Sequence, residues 1–280
     1  MRITFWGTRG SLVVPGTDTV RYGGNTPCVQ VTANGTDLIL DAGIGIVPLG
    51  DKVMSAPALE RQKVFHLLFS HFHWDHVLGF PFFTPVYLAG MELHLYGRNP
   101  DRVKETVHRL FHSSYSPIKG AHNLAAEIYY HEVGDEPVQI EAARVHSVPL
   151  NHPHPGPDSP TVGYRIELGS RTMVYATDNE AGVDEACDAR LVEEARGADV
   201  LVHDAHFTPE EYPARVGWGH SSFEQAVRIA SEAGVSLLVL FHHEPDHDDE
   251  QMELILERAR KLAPEGLTVT AALDRGVLEI

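Results

Sequence analysis

Short apolar, β-branched runs alternate along this 280-residue chain with longer stretches whose apolar positions recur at helical spacing. The short runs predict strands over Ile3–Trp6, Cys28–Thr32, Asp37–Leu40, Val64–Phe69, Glu92–Tyr96, Ala143–Pro149, Thr161–Leu168, Thr172–Ala176, Val200–His203 and Ser236–Phe241, with Thr268–Ala272 and Gly276–Ile280 closing the chain. Helices are predicted over Asp101–His112, Asp184–Arg196, Ser221–Ala233 and Asp248–Leu262. Tyr164 to Tyr175 reads as a hairpin turning at Gly169-Ser170. The first half reads as strands joined by turns, the second as strand alternating with helix. The mixture implies sheets covered by helices on their outer faces. No linker or low-complexity tract divides the chain, so residues 1–280 are expected to form one domain. A helical insert at about 98–131, carrying His112, Tyr115, Lys119 and His122, is expected near the active site. Asn151–Pro160 is dense in Pro, Gly and His and reads as a loop.

Composition narrows the class. Hydrophobic residues make up 43%, enough for a sizeable core, and the formal charge is −17, which repels a polynucleotide backbone and offers no polyanion-binding stripe. A small phosphate ester held by local metal charge is still compatible with it. The two cysteines, Cys28 and Cys187, form no CxxC pair and read as small buried residues, not as a disulfide or thiolate site. The N-terminal residues lack the apolar stretch of a signal peptide, and no apolar run approaches the ~20 residues that span a bilayer. A soluble, cytoplasmic protein without membrane contact is expected. The anomaly is eighteen clustered histidines.

His71-Phe72-His73-Trp74-Asp75-His76 follows directly on the strand Val64–Phe69. In an extended segment His71 and His73 point to the same side, so both imidazoles can converge on one ion. Asp75 and His76 come where a helical pattern begins and can face a second ion. Such N/O donors suit Zn²⁺, with iron and manganese as alternatives. Further donors belong at the ends of other strands: Asn151-His152 after Ala143–Pro149, Thr177-Asp178 after Thr172–Ala176, and His242-His243 after Ser236–Phe241. All three fit one rim of one sheet system.

These residues carry a resemblance to the metallo-β-lactamase superfamily, within it to the phosphodiesterase branch that includes tRNase Z and small cyclic-phosphodiester hydrolases. Beside the 71–76 stretch, His152, Asp178 and His242, the chain has Leu40-Asp41-Ala42-Gly43, which looks like the family's early Asp-x-Gly motif. His203-Asp204-Ala205-His206-Phe207 is similar to the branch's His-Glu-Ala-Thr-Phe segment, with Asp for Glu. Gly219-His220-Ser221-Ser222 and the later Phe241-His242 resemble its Gly-His-Ser/Thr…His ending. The resemblance implies an α/β fold, an αβ/βα four-layer sandwich of two mixed β-sheets flanked by helices. It implies two divalent metal ions: one held by His71, His73 and His152, the other by Asp75, His76 and His242, with Asp178 bridging. His243 is the alternative to His242.

His220, Asp75 and Asp204 are the expected catalytic residues. His220 lies outside the implied ligand set. Ser221-Ser222-Phe223-Glu224 reads as a capping box, so His220 precedes a helix N-terminus with exposed N–H donors, and Asp204 is placed by resemblance to partner it. Asp41 is read as holding the 71–76 loop by hydrogen bonds. Phe72, Trp74, Phe80, Phe82 and Phe83 are read for the most part as core, with stacking on a base as the alternative. Asp246-His247-Asp248-Asp249-Glu250 reads as a solvated helix start and not a metal patch.

Two ions ~3.5–4 Å apart activate a water between them, and no GxSxG elbow supplies a nucleophilic serine. The expected function is therefore dinuclear metal-dependent hydrolysis of a small phosphodiester or cyclic nucleotide. The alternative is a carbonyl substrate: lactone, thioester or β-lactam. Behind it stand tRNA 3′-processing, a non-catalytic metal-binding protein and a redox di-iron protein. His152 and Asp178 are only 26 residues apart, too close for the tRNA-docking arm that tRNase Z carries there. The expected partner is a small phosphodiester, with no large nucleic acid; a homodimer is left open.

Overall fold

In a computed structural model of the chain, which describes residues 1–114, 116–118, 120–153 and 160–280, the apolar runs form two seven-stranded sheets. The first contains β1 (Arg2–Gly7), β2 (Cys28–Ala33), β3 (Thr36–Leu40), β4 (Val64–Leu68), β5 (Glu92–Gly97) and β6 (Glu127–Glu132). The second contains β7 (Val138–Ile140), β8 (Ala143–Pro149), β9 (Val162–Leu168), β10 (Arg171–Ala176), β11 (Val200–Asp204), β12 (Leu237–Phe241) and β13 (Thr268–Ala271). The last strand, β14 (Val277–Glu279), returns to the first sheet beside β1. Each sheet is antiparallel at one end and parallel at the other: β14-β1-β2-β3 and β7-β8-β9-β10 are antiparallel, β3-β4-β5-β6 and β10-β11-β12-β13 parallel. The hairpin between β9 and β10 turns at Gly169, whose φ of +68° suits a residue without a Cβ.

Period-two alternation sorts each strand's side chains between two cores. Leu38 and Leu40 of β3 meet Tyr164, Tyr175, Val239 and Phe241 between the sheets, while Ile39 joins Phe65 and Leu67 of β4 under the first pair of long helices. Those helices are α1 (Ile46–Ser55) and α3 (Pro100–Leu110); the single turn α2 (Trp74–Val77) lies between them in sequence. On the opposite side α4 (Glu185–Ala195), α5 (Phe223–Ala233) and α6 (Asp249–Leu262) cover Val174, Leu201, Leu238 and Leu240. The architecture is helices, sheet, sheet, helices, a four-layer αβ/βα sandwich. Strands such as β12 read as unbroken apolar runs because both their faces are buried.

Several expectations need correcting. The first half is not a series of turns: its parallel strands are joined by crossovers, one of them α1, which Pro48 and Gly50 hid from the periodicity. Among the described residues, the segment at 98–131 is helical at α3 and at a short turn over Ala121–Asn123, and it runs into β6, a polar edge strand. His112 and His122 are exposed, and Tyr115 and Lys119 lie outside the described residues, as does most of the Asn151–Pro160 loop. The α5 capping box is one residue later than expected, at Ser222 and Gln225. Cys28 is buried but Cys187 only half-buried, and both are free thiols. Among the described residues no helix is long and apolar enough to cross a membrane.

The loop after β3 and the turn after α2 are pressed together through two glycines. A Cβ on Gly79 would lie 2.0 Å from the carbonyl oxygen of Gly43, and one on Gly43 would lie 2.2 Å from that of Asp75. Neither backbone atom can yield without moving the segment that carries the histidines. Gly79→Ala is expected to destabilise the fold by roughly 1–3 kcal/mol or more, the scale of core overpacking, seen as a lower midpoint in thermal unfolding. An unchanged midpoint would mean that this close approach is not a constraint.

Candidate metal centre and active site

Most of the candidate residues sit just beyond the point where a strand stops and its backbone is released from the ladder, on one rim of the sandwich. Asp41 follows β3, His71 and His73 follow β4, His152 follows β8, Asp178 follows β10 and His242 follows β12. Three of them, Asp41, Asp178 and His242, have left-handed φ angles of +60°, +52° and +60°. Non-glycine residues adopt such angles at a cost, commonly at functional sites. Here the reversal directs adjacent residues to opposite sides. His242 turns into the rim, whereas His243 turns away, donating from Nε2 to the Ala272 carbonyl at 2.9 Å. That geometry takes His243 out of the donor cluster.

Asp41 organises the 71–76 segment. Its carboxylate accepts from the Ser70 N–H and Ser70 Oγ, both at 2.8 Å, and from His76 Nδ1 and the Tyr175 hydroxyl, both at 2.9 Å. His76 Nε2 is thereby aimed at the centre. His152 is fixed in the same way, its Nδ1–H donating to the Gly219 carbonyl at 2.7 Å. Orientation of a ligand's second ring nitrogen by a fixed acceptor is how metal-binding imidazoles are held.

Two groups of donors result, with ligand atoms in each within 4.8 Å of one another: His71, His73, His152 and Asp178, and Asp75, His76, Asp178 and His242. Asp178 belongs to both. Its Oδ1 lies 3.6 Å from His71 Nε2 and its Oδ2 3.1 Å from His76 Nε2. Asp75 Oδ2 lies 3.1 Å from His242 Nε2 and accepts from the Ser11 N–H at 2.8 Å. Imidazole nitrogens also face one another, His152 Nε2 to His73 Nδ1 at 3.0 Å and His76 Nε2 to His242 Nε2 at 3.4 Å. His71 Nε2 is buried without a hydrogen-bond partner.

The electrostatics ask for positive charge at this point. Burial opposes ionisation of Asp75 and Asp178, yet the surrounding imidazoles hold both carboxyls well below the usual carboxylate range. Burial likewise opposes a charge on His76, but Asp178, Asp75 and Asp41 hold it well above the ordinary histidine value. Burial pushes His71 down and His152 down to about 4. The carboxylates are thus ionised and the outer imidazoles neutral, the forms that ligate metals. A purely N/O donor set, an orphaned buried nitrogen and a concentration of negative charge fit divalent ions of the zinc, manganese or iron type.

His220 and Asp204 stand beside these groups. His220 Nδ1 donates to Asp204 Oδ2 at 2.7 Å, and Asp204 Oδ1 accepts from the backbone N–H of His206 and of Ser221, each at 3.1 Å. Burial lowers the His220 pKa, but Asp204 outweighs it and raises the value to about 9. The His220 ring stacks on His206 (4.5 Å, 25°) and on His242 (4.9 Å, 15°). The turn that presents it is tied by Glu180, which accepts from the backbone N–H of Gly217 and of Gly219, both at 2.7 Å.

Two of these residues escape the sequence. Glu180 has no motif. His206 does have a signal, since it stands where the resemblance has threonine. It is buried, its Nδ1–H donates to the His242 carbonyl at 2.7 Å, and with His220 and His242 it forms a third group of close imidazoles.

A Beta-lactamase superfamily domain model matches residues 36–243, which include both donor groups. Ribonuclease Z of Methanopyrus kandleri is 31% identical over 300 aligned positions, covering 93% of this chain and 92% of that protein. Among solved structures, the metallo-β-lactamase fold protein YhfI from Bacillus subtilis matches 100% of this chain and 99% of its own, with a TM-score of 0.69 and 18% identity. A diphosphatase from the PhnP family matches 100% of this chain and 97% of its own, with a TM-score of 0.67 and 22% identity. Both structures share the fold.

Reconstitution with zinc, manganese or iron is expected to give about two ions per chain by elemental analysis, the content of a dinuclear hydrolase site. His242→Ala should lose one, while His243→Gln and His206→Ala should keep both. One ion or none in the parent protein would remove the dinuclear reading.

Proposed function

The chain belongs to the metallo-β-lactamase superfamily, in the phosphodiesterase branch, and from that membership we propose that it is a dinuclear metal-dependent phosphodiesterase acting on a small phosphodiester. His71, His73 and His152 would hold one ion, Asp75, His76 and His242 the other, with Asp178 between them. Zinc is the metal the donor set favours, with manganese or iron as substitutes. When bound, such ions lower the pKa of water and neutralise charge on phosphoryl oxygens.

The observation that carries the reading is the Asp204–His220 pair. It lies outside both donor groups yet faces them, with the His220 ring 4.9 Å from His152 and from His242. Its Nδ1–H is given to Asp204, whose charge favours the protonated ring, and this leaves Nε2–H to serve the substrate. An alkoxide leaving group needs that proton as it departs, and a positioned acid supplies it. Asp204 is wholly buried and acts through His220 by fixing the ring and offsetting its charge.

The small-substrate reading has its own support. The described residues between His152 and Asp178 are mostly taken up by β9 and β10, and the chain's charge is −17. The Ribonuclease Z relative favours a second reading, RNA 3′-end processing, which cleavage of a tRNA precursor in preference to small diesters would establish.

Asp178→Ala removes the one residue that, among those described, is common to both donor groups. Turnover of bis-(p-nitrophenyl) phosphate should fall below a tenth of the parent rate with the circular dichroism spectrum unchanged; a rate above that would mean Asp178 is not the bridge.

His220→Ala should keep the full metal complement and lower kcat for phosphodiesters by ~10²-fold or more, the usual scale for a lost general acid. An activated nitrophenyl ester should suffer less than an alkyl or ribose ester. Equal losses would indicate charge stabilisation at the phosphoryl oxygens instead, and loss of an ion would make His220 a ligand.

A further inference from the structure

A cavity of about 1070 Å³ opens directly beside the first donor group, with His71 and His73 forming part of its wall. The rest of that wall is mostly apolar. Phe72, Trp74, Leu78 and Phe82 come from α2 and the turns around it, Leu110 and Ile118 from α3 and the segment that follows. Of the five aromatics read for the most part as core, Phe80 and Phe83 are buried and Phe72 packs partly buried against the same core, whereas Trp74 is 80% and Phe82 60% exposed. An apolar surface kept open at a catalytic centre costs hydration free energy, and the cost is recovered when a ligand covers it.

The polar part of the wall is smaller and lies chiefly on α3. There Arg102 and Arg109 both pair with Glu105, at 2.7 and 2.5 Å, which leaves one positive charge in excess within this trio. His220, which donates to the departing oxygen in the reading above, is not part of this wall. The ester group that leaves and the one that fills the cavity are therefore different groups on the same phosphorus.

We propose that this cavity is the subsite for the retained ester group, and that the substrate is a phosphodiester whose retained group is a large apolar alkyl or aryl residue, not a nucleoside. This assignment rests on the phosphodiesterase reading for its chemistry but makes a separate claim about binding. Water attacks phosphorus, the bond to the leaving oxygen breaks with transfer of one proton to it, and the apolar group stays on the phosphomonoester product.

The test varies only the retained group. Alkyl p-nitrophenyl phosphates from methyl to octyl share one leaving group, so the chemistry is constant. Burial of methylenes is worth on the order of 3–4-fold each when complete, and kcat/KM is expected to rise at least about 10-fold across the series through a falling KM. The double variant Leu78→Ser/Phe82→Ser, at two exposed positions, should flatten the series. A second readout needs no turnover: the neutral fluorophore N-phenyl-1-naphthylamine should bind the purified protein, be displaced by dodecyl methyl phosphate and not by cyclic AMP, and bind more weakly to the double variant. A flat series with measurable turnover overturns the proposal, as does a thymidine 5′-p-nitrophenyl ester outrunning the octyl ester. Failure to turn over any diester refutes the phosphodiesterase reading alone. The fluorophore then decides the subsite: displacement by the dodecyl diester supports it, and no binding or an unaffected double variant overturns it.

Discussion

Carboxylates held out of water at the rim of the sandwich govern the arrangement of everything around them. Asp41, Asp178 and Asp204 are at most 1% exposed, and Asp75 is 8% exposed. Moving one such charge out of water costs several kcal/mol even after relaxation, unless hydrogen bonds and opposite charge offset it. Asp41 and Asp204 are offset entirely by the chain, through Ser70, His76 and Tyr175 in one case and His220 with two backbone N–H groups in the other. Asp75 and Asp178 are not: beyond the Ser11 N–H and the Thr177 hydroxyl, their neighbours are the imidazole nitrogens of the donor groups. In the proposed centre an external cation would complete their neutralisation, which sets them apart from Asp41 and Asp204.

The sheets make that possible because strand ends are where backbone direction is free. A residue inside a ladder points up or down with fixed period. The first residue beyond it need not, and Asp41, Asp178 and His242 use the left-handed region to turn a side chain in toward the rim. Gly43 and Gly79 then let the loop after β3 and the turn after α2 approach to backbone contact, so the 71–76 segment is held by packing as well as by Asp41.

How much of this a reader of the sequence can see depends on which force fixes each element. Strands buried on both faces are largely apolar, so β4, β10, β11 and β12 announce themselves. Edge strands have one face wet and little to bury: β6 reads Glu-Ile-Tyr-Tyr-His-Glu and β7 has only three residues, and neither is visible as a strand. The 71–76 cluster is legible because so many ligand types in six positions have no other use. The family resemblance adds Asp204 and His220, which spacing alone would not pair. Glu180 is invisible because a carboxylate that ties down a turn looks like any surface acid. Which of the five aromatics at 72–83 stay exposed is not legible for a related reason, since hydrophobic character does not say whether a side chain faces a core or a cavity.

The division of labour between the two sheets carries the last step. The 71–76 segment hangs from the first sheet, whereas His152, Asp178 and His242 hang from the second, so neither half of the molecule holds a complete centre. The proposed proton donor, His220, also belongs to the second sheet, through Asp204 on β11 and the turn before α5 that carries it. The apolar wall of the cavity belongs mainly to the first, through α2 and α3. The proposed phosphorus chemistry would therefore need both sheets in register, and the interleaved core of Leu40, Tyr164, Tyr175 and Phe241 is what keeps them so. Selection of the retained ester group depends chiefly on apolar side chains of one half, none of which is a metal donor or a partner of Asp41. In this architecture the specificity of the site is free to change by substitution along α2 and α3, while the reaction it performs is fixed by contacts that span the whole molecule.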